Sequence, residues 1–421
     1  MYICRYEAEK VVYYHKLETL SGRKINRQIN RKDVYDSPHQ FLPLQPADSL
    51  LVPLRERASA VVNDAAGLAA QAHPATKLAL RELLRSMNSY YSNRIEGQST
   101  TPRNIQAALH EEFSDRPEIA QLQRIAVAHI EAEKVVSRQA DSTSALSADF
   151  AKMAHGALYR HLAPADRMTS EGLVVEPSAL REINVTVGRH NPPAWQSLPR
   201  FMDAFTQHYD RQRPADLQII AIACAHHRLA WMHPFADGNG RAARLQTHAA
   251  MLPVTRGLWS VNRGFARGVQ DYYGYLAAAD APRQGDLDGR GNLTERGLVQ
   301  WVDYFLRVCE DQVSDMAQML MLDSMKAKIH AVVQIESAHG RLRPEAALPL
   351  YHLFAAGPVT RGEFIQMTGL GERTGRSLLA AALKSGLVAS DTPRGPVRFA
   401  FPLDALPVLL PSLYGGVDDV G

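Results

Sequence analysis

One short run concentrates the residue types that phosphate-ester chemistry needs: His233-Pro234-Phe235-Ala236-Asp237-Gly238-Asn239-Gly240-Arg241-Ala242-Ala243-Arg244. His233 has the side chain that takes up a proton near neutral pH, as activation of a hydroxyl nucleophile requires. Asp237 offers a hard oxygen ligand at the point where Mg²⁺ would bridge phosphates. Gly238, Asn239 and Gly240 permit backbone angles that most residues avoid. Successive amides there can turn to one side and hold an anion at the start of the next helix. Arg241 and Arg244 stand three apart, nearly on one helix face, where two guanidinium forks can clamp a polyphosphate. A single histidine at a helix end, a Gly-Asn-Gly turn or a pair of arginines is ordinarily structural. All three within twelve residues point to a phosphate site.

The elements around this run must be helices. An apolar stretch over 217–231 precedes it and a helix over 241–251 follows, so the run is a helix–loop–helix turn. From about Asp48, residues Leu50, Leu51, Leu54, Ala58, Val61 and Val62 recur at the spacing of a helix with one buried face. Further helices are expected at 75–93, 102–113, 118–138, 147–160, 197–212 and 294–323, each bounded by Pro, Gly or Asn/Asp/Ser. The interval 173–190 differs. Leu173, Val174 and Val175, then Ile183, Val185 and Val187 alternating with polar residues, predict a short β-hairpin closed by Asn191-Pro192-Pro193.

Near the C-terminus, helices at 345–356, 361–367 and 372–386 lead to Leu387-Val388, a Pro-Arg-Gly-Pro turn and Val397–Phe401. That order predicts a winged helix-turn-helix, with Thr360 and Glu363 as a capping box for the second helix. The expected organisation is mainly α. It comprises a basic arm or small irregular subdomain over 1–45 (Arg23, Lys24, Arg27, Arg31, Lys32), an all-α body over 46–335, the winged helix over 340–405 and a tail over 406–421.

The whole chain of 421 residues has 46% hydrophobic and 22% charged residues, as an ordinary globular protein does. A net charge of +3 demands neither a nucleic acid nor a membrane as partner. Cys4, Cys224 and Cys309 are too few and too scattered for a disulfide framework or a zinc site, and they suit a reducing cytoplasm. The most apolar stretch, Leu217 to Met232, is shorter than a membrane span and is interrupted by His226, His227 and Arg228. No Gly-Lys dipeptide, Gly-x-Ser-x-Gly, His-Glu-x-x-His or Cys-x-x-Cys occurs, which removes Walker-type, serine-hydrolase, zincin and dithiol sites.

The run at 233–244 resembles the Fic family signature, His-Pro-Phe-x-Asp/Glu-Gly-Asn-Gly-Arg-x-x-Arg, and matches it at every fixed position. The resemblance extends over roughly residues 80–310, through His226 (read as structural), Tyr272-Tyr273 and the stretch Asp286 to Glu295. It implies a protein adenylyltransferase. His233 would deprotonate the Tyr, Ser or Thr hydroxyl of a target protein, which attacks the α-phosphate of ATP and expels pyrophosphate. Asp237 would hold Mg²⁺, Gly238, Asn239 and Gly240 would form the anion hole, and Arg241 with Arg244 would hold the β/γ end. The 173–190 hairpin would be the family's flap, registering the target by strand addition through Val185, Val187 and Gly188. Tyr272 and Tyr273 would contact the nucleoside.

Upstream, Ser92-Asn93-Arg94-Ile95-Glu96-Gly97, on a helix over about 80–97, resembles the family's inhibitory motif. Glu96 would pair with Arg244 and tilt ATP out of alignment, within one chain or across a homodimer of the kind relatives form. In some relatives the same glutamate supports removal of AMP. Members with kinase activity depart at the Gly-Asn-Gly-Arg segment, so Gly240 favours AMP transfer; transfer of another phosphate-containing group such as phosphocholine is the rarer alternative. The other alternative is a DNA-binding regulator. Arg373 and Arg376 on the third helix of the winged module, with Arg394 and Arg398 in its wing, could face DNA, or the module could dock a protein.

Overall fold

The computed structural model describes residues 35–71, 73–169 and 172–414, together with the backbone of Val12–Tyr14. The chain is mainly helical and divides into two compact units. The first comprises residues 1–58, 131–251 and 269–306. The second comprises 59–130, 252–268 and 307–421. Among the described residues no helix is long and apolar enough to cross a membrane.

The first unit is built around the helix Ala215–Met232, whose residues from Ile219 to Leu229 are all buried. A helix that is apolar all round belongs in a core. A cluster formed by Ala132, Val136, Phe150, Ala154, Leu158, Tyr159, Val175, Phe235, Ala242 and Leu245 fills one region of this unit. A second, aromatic region groups Phe41, Phe201 and Trp231. Trp301 donates its indole N–H to the Ala223 carbonyl at 2.7 Å and stacks on His226. Residues 35–45, the end of the expected arm, are part of this packing. The Arg228 guanidinium donates to the Pro43 carbonyl at 3.1 and 2.6 Å, and Phe41 is buried. The cluster Arg23, Lys24, Arg27, Arg31 and Lys32 lies outside the described residues.

The expected hairpin over 173–190 is not what forms. Val185–Val187 is a strand, but it pairs antiparallel with Val12–Tyr14, in the register Val12↔Val187 and Tyr14↔Val185. Leu173 to Val175 instead fold back on Arg167–Thr169: Val174 bridges Met168, and the Val175 amide donates to the Arg167 carbonyl at 2.8 Å. Val175 then enters the core. The alternation at 183–187 correctly marks a strand, but a period of two does not say which segment lies opposite.

The second unit holds Pro74–Ile95, Pro102–Leu109, Val261–Arg267, Leu322–Ala338 and the C-terminal helices. The expected helix over 294–323 ends at Leu320, and a new one starts at Leu322. Helices Val261–Arg267 and Val269–Ala279 have no counterpart in the sequence reading. Ala347–Ala356, Arg361–Met367 and Glu372–Lys384 follow in the expected places. Thr360 accepts from the Glu363 amide at 3.2 Å while the Glu363 carboxylate accepts from the Thr360 amide at 2.7 Å, the reciprocal cap foreseen. Val388–Ala389 pairs with Arg398–Phe399, and Val359 bridges Val397. Residues 406–414 are not a loose tail. Leu406–Leu409 and Pro411–Tyr414 are helical, with Leu406, Leu409 and Leu410 buried.

Candidate functional site

The run 233–244 joins the helix Ala215–Met232 to the helix Asn239–Thr255. His233 ends the first helix in the left-handed conformation (φ 45°, ψ 59°), and its amide still donates to the Leu229 carbonyl at 3.2 Å. A non-glycine residue there carries strain of order 1–3 kcal/mol, the kind that marks functional turns. Gly238 is the other left-handed residue of the turn (φ 73°). A Cβ on Gly238 would sit 2.6 Å from the Tyr159 hydroxyl, so this glycine is required twice over, by angle and by space. Gly240 uses no special angle and lies in the helix, so the turn expected to bind an anion depends on one left-handed glycine rather than two.

Asn239 braces the turn. Its Oδ1 accepts from the Phe235 amide and its Nδ2 donates to the Phe235 carbonyl, both at 2.9 Å. The loop therefore closes on itself where neither helix supplies backbone bonds. The following helix starts at Asn239, so its first amides face the turn, where a phosphate would meet them. Arg241 lies in its first turn. The Tyr159 hydroxyl accepts from Arg241 Nη2 at 2.7 Å, and Arg241 Nη2 is 3.4 Å from Asp237 Oδ2. Arg244, one turn on, is 0% exposed.

The Asp237 side chain is 44% exposed. Among the described residues no group of three or more His, Cys, Asp or Glu is placed to hold a metal, so a metal at Asp237 would need further oxygens from a nucleotide. Tyr272 departs from the expected nucleoside contact. It is 2% exposed, and its hydroxyl is hydrogen-bonded to His226 Nε2 at 3.0 Å. Tyr273, at 36%, is the ring of the pair that meets solvent. His226 is structural, as expected: Nδ1 is bonded to Thr247 Oγ1 at 2.7 Å. Burial, helped by the charge of Arg244, pushes its pKa down to about 3.

Val185 is buried, Val187 partly so, and Gly188 (φ 58°) turns the chain so that Val187 and His190 pair. Glu96 and Ser92 belong to the second unit. Ser92 is buried within Pro74–Ile95, and Glu96 caps that helix, its amide bonded to the Asn93 carbonyl at 3.1 Å. Gly97 follows at φ 70°, and the Gln98 amide returns to the Asn93 carbonyl at 2.9 Å, a glycine-terminated helix end.

Three residues that sequence reasoning missed hold the turn. Arg181, 3% exposed, donates from Nε to the His233 carbonyl at 2.8 Å, and from Nη1 and Nη2 to the Ile183 and Pro193 carbonyls, both at 2.6 Å. Its own amide donates to the Pro234 carbonyl at 2.9 Å. One guanidinium thus ties both ends of the 183–193 segment to the left-handed histidine. His155 donates from Nε2 to the Asp237 carbonyl at 3.1 Å, accepts the Ser178 amide at Nδ1 and stacks on Phe235. Burial lowers its pKa to about 4. Tyr159 is the third. An arginine in a loop, a histidine inside an apolar helix and a tyrosine at a helix end carry no local pattern that separates them from ordinary structural residues.

Residues 145–251 match the model of the Fic/DOC family. The chain carries a Fic domain. It is 33% identical over 133 residues to "Protein adenylyltransferase Fic" of Nematostella vectensis, a match covering 31% of this chain and 30% of that protein. It is also 33% identical over 79 residues to the protein of the same name in Drosophila melanogaster, covering 18% of this chain and 16% of the relative. The matched region is therefore less than a third of either relative's length. A Fic domain containing signaling protein from Bacteroides thetaiotaomicron superposes with a TM-score of 0.50 at 16% identity, covering 62% of this chain and 96% of that one, a likeness of fold.

Two outcomes test the supports of the Fic turn. Arg181→Lys keeps the charge but loses the fork that reaches three carbonyls. Chemical denaturation should register a loss of about 2–4 kcal/mol, and a loss under about 0.5 would remove Arg181 from this role. His155 and His226 have folded pKa values of about 4 and about 3, below the ordinary 6.5, so the unfolded chain binds protons that the folded chain refuses. Stability is full above the ordinary value and falls as pH drops below it, by up to about 1.4 kcal/mol per pH unit per histidine. His226→Gln should flatten that slope in denaturation curves recorded at successive pH values.

Proposed function

We propose that this Fic domain transfers AMP from ATP to a hydroxyl side chain of a target protein, with His233 as general base. The observation that carries the reading is the braced turn itself. A left-handed histidine, a carboxylate at Asp237, a helix N-terminus and two arginines one turn apart share one short segment. The name of the Nematostella relative, an adenylyltransferase, supports the same reaction. In it the target O–H proton passes to the His233 imidazole, the oxygen bonds to the α-phosphorus, and the bond to pyrophosphate breaks. The first amides of the helix starting at Asn239 meet the phosphates, and Arg241 and Arg244 offset the charge toward the leaving group. A carboxylate open to solvent on one side fits the demand of Mg²⁺ for one or two protein oxygens beside phosphate oxygens. Asp237 would hold that ion, which when bound neutralises charge on the phosphates.

Val185–Val187 has Val12–Tyr14 on one edge, so a target strand adding to the flap would use the other. Tyr273 is the ring accessible to a nucleoside. Glu96, beside a glycine-terminated helix end, is the inhibitory glutamate of this reading. Incorporation of labelled AMP into lysate proteins should fall about a thousandfold in His233→Ala and rise about tenfold or more in Glu96→Gly. An unchanged Glu96→Gly rate would sink autoinhibition, and a retained His233→Ala rate would sink the base assignment.

The C-terminal module over 340–405 is read as a winged helix-turn-helix that docks protein rather than DNA. Gly375 brings Glu372–Lys384 close to Arg361–Met367: a Cβ there would lie 2.6 Å from Ile365. Two of its four exposed-face arginines are already neutralised, Arg376 by Glu372 and Arg398 by Asp391. Phosphate binding releases counterions and depends steeply on salt. The full chain should therefore give no salt-dependent shift of duplex DNA in a gel. A shift lost between low and moderate salt would restore the DNA reading.

A further inference from the structure

Tyr159 lies outside the signature run yet touches two of its charged members. It ends the helix Ala148–Tyr159, its ring buried in the cluster with Phe235, Ala242 and Leu245. Its hydroxyl makes the polar contacts with the turn, donating to Asp237 Oδ2 at 3.1 Å and accepting from Arg241 Nη2 at 2.7 Å. The Arg241 guanidinium carbon also stands 5.5 Å from the centre of the Tyr159 ring. The direction of both bonds is forced. A guanidinium can only donate, so the phenol must accept from Arg241, and its one proton is then left for the carboxylate. The two side-chain contacts on the Asp237 carboxylate, from Tyr159 and Arg241, both fall on Oδ2. That pins one oxygen toward the protein, while the side chain as a whole stays 44% exposed. The ring is itself buried, and its edge and hydroxyl occupy the space that a Cβ on Gly238 would take.

We infer that Tyr159 is a positioning residue for metal–nucleotide binding. Its hydroxyl orients the Asp237 carboxylate to offer a single oxygen to Mg²⁺ and holds Arg241 beside it before a nucleotide arrives. The inference rests on the proposed ATP site. Arg241 and Asp237 are placed to form an ion pair with each other, and a direct pair would cover the carboxylate that the metal needs. At 3.4 Å that contact is long, and the shorter bond runs through the hydroxyl. The phenol thus keeps the two charges near each other without letting them collapse together. A structural tyrosine packed in the same core would contribute through its ring alone.

The test compares the full chain with Tyr159→Phe, which keeps the ring. A fluorescent ATP analogue is held at fixed concentration while Mg²⁺ is titrated, and thermal unfolding is recorded alongside. The Phe variant should need about tenfold more Mg²⁺ for half-maximal binding, with its unfolding midpoint moved by only a few degrees. In the Asp237→Ala background the same substitution should leave the Mg²⁺ midpoint unmoved, because the carboxylate it orients is gone. Identical titrations for the full chain and Tyr159→Phe, or an equal shift in both backgrounds, would overturn the inference. If the unmodified chain shows no Mg²⁺-dependent binding of the analogue at all, the ATP site falls and the inference with it. That outcome is distinct from a normal titration that the phenol does not affect.

Discussion

The helix Ala215–Met232 is buried on every side and leaves the core through a sharp turn at His233, a β-carbon-bearing residue held at a positive φ. Backbone bonds of the two flanking helices cannot fix such a turn, because helix ends leave their last carbonyls and first amides without partners one turn away. Side chains do it instead. Asn239 spans the loop to Phe235, Arg181 collects the His233 carbonyl, and His155 holds the Asp237 carbonyl. The strain of the left-handed histidine persists because several independent contacts determine the same geometry. The imidazole that is proposed to do chemistry is therefore presented by a backbone that cannot relax around it.

Arg181 gives this arrangement a second consequence. Its three acceptors lie at 183, 193 and 233, so the segment that bears the strand Val185–Val187 and the residue proposed as base share one guanidinium. Planar, forked geometry is what allows three carbonyls to be met at once. His190 adds a further tie, with Nε2 donating to the Trp231 carbonyl at 2.7 Å, two residues before the histidine. The strand segment and the turn are thus tied together through both Arg181 and His190.

What could be read from the chain follows from this division of labour. The groups proposed to meet phosphate are contiguous, because a helix N-terminus and its preceding loop are contiguous, so the run from His233 to Arg244 stood out in the chain as one helix–loop–helix turn. Helices with strong periodicity stood out as well, as did the Thr360–Glu363 cap, whose parts are three residues apart. The supports did not. Arg181, His155 and Tyr159 act across loops and between helices, and nothing in their neighbours marks them. The partner of Val185–Val187 was hidden for the same reason: alternation announces a strand, while its mate lies near the other end of the unit's sequence. Helical spacing put Tyr272 and Tyr273 together but could not tell which would face the core, and the buried one is Tyr272. The paired helices at 261–279 were obscured by Gly264 and Gly268. Gly264 is a packing glycine: a Cβ there would lie 2.5 Å from Val308.

The distribution of charge completes the picture. His155, His190, His226 and His227 surround the turn and its helix, and in each case burial outweighs every other influence and lowers the pKa. They serve as neutral hydrogen-bonding wedges: His155 donates to Asp237, His190 to Trp231, and His227 pairs with Asp280 at 3.0 Å. Were they charged, positive potential would spread through the core and weaken the contrast between the turn and its surroundings. Kept neutral, they leave the fixed positive charge around the turn and its helix to arginines: Arg241, Arg244, the backbone clasp Arg181 and, within the helix, Arg228. Those arginines in turn help keep the histidines uncharged, Arg244 acting on His226 and Arg241 on His155. The same burial that stabilises the fold stops short of His233, which is half-buried at the helix end and is the imidazole proposed as the base.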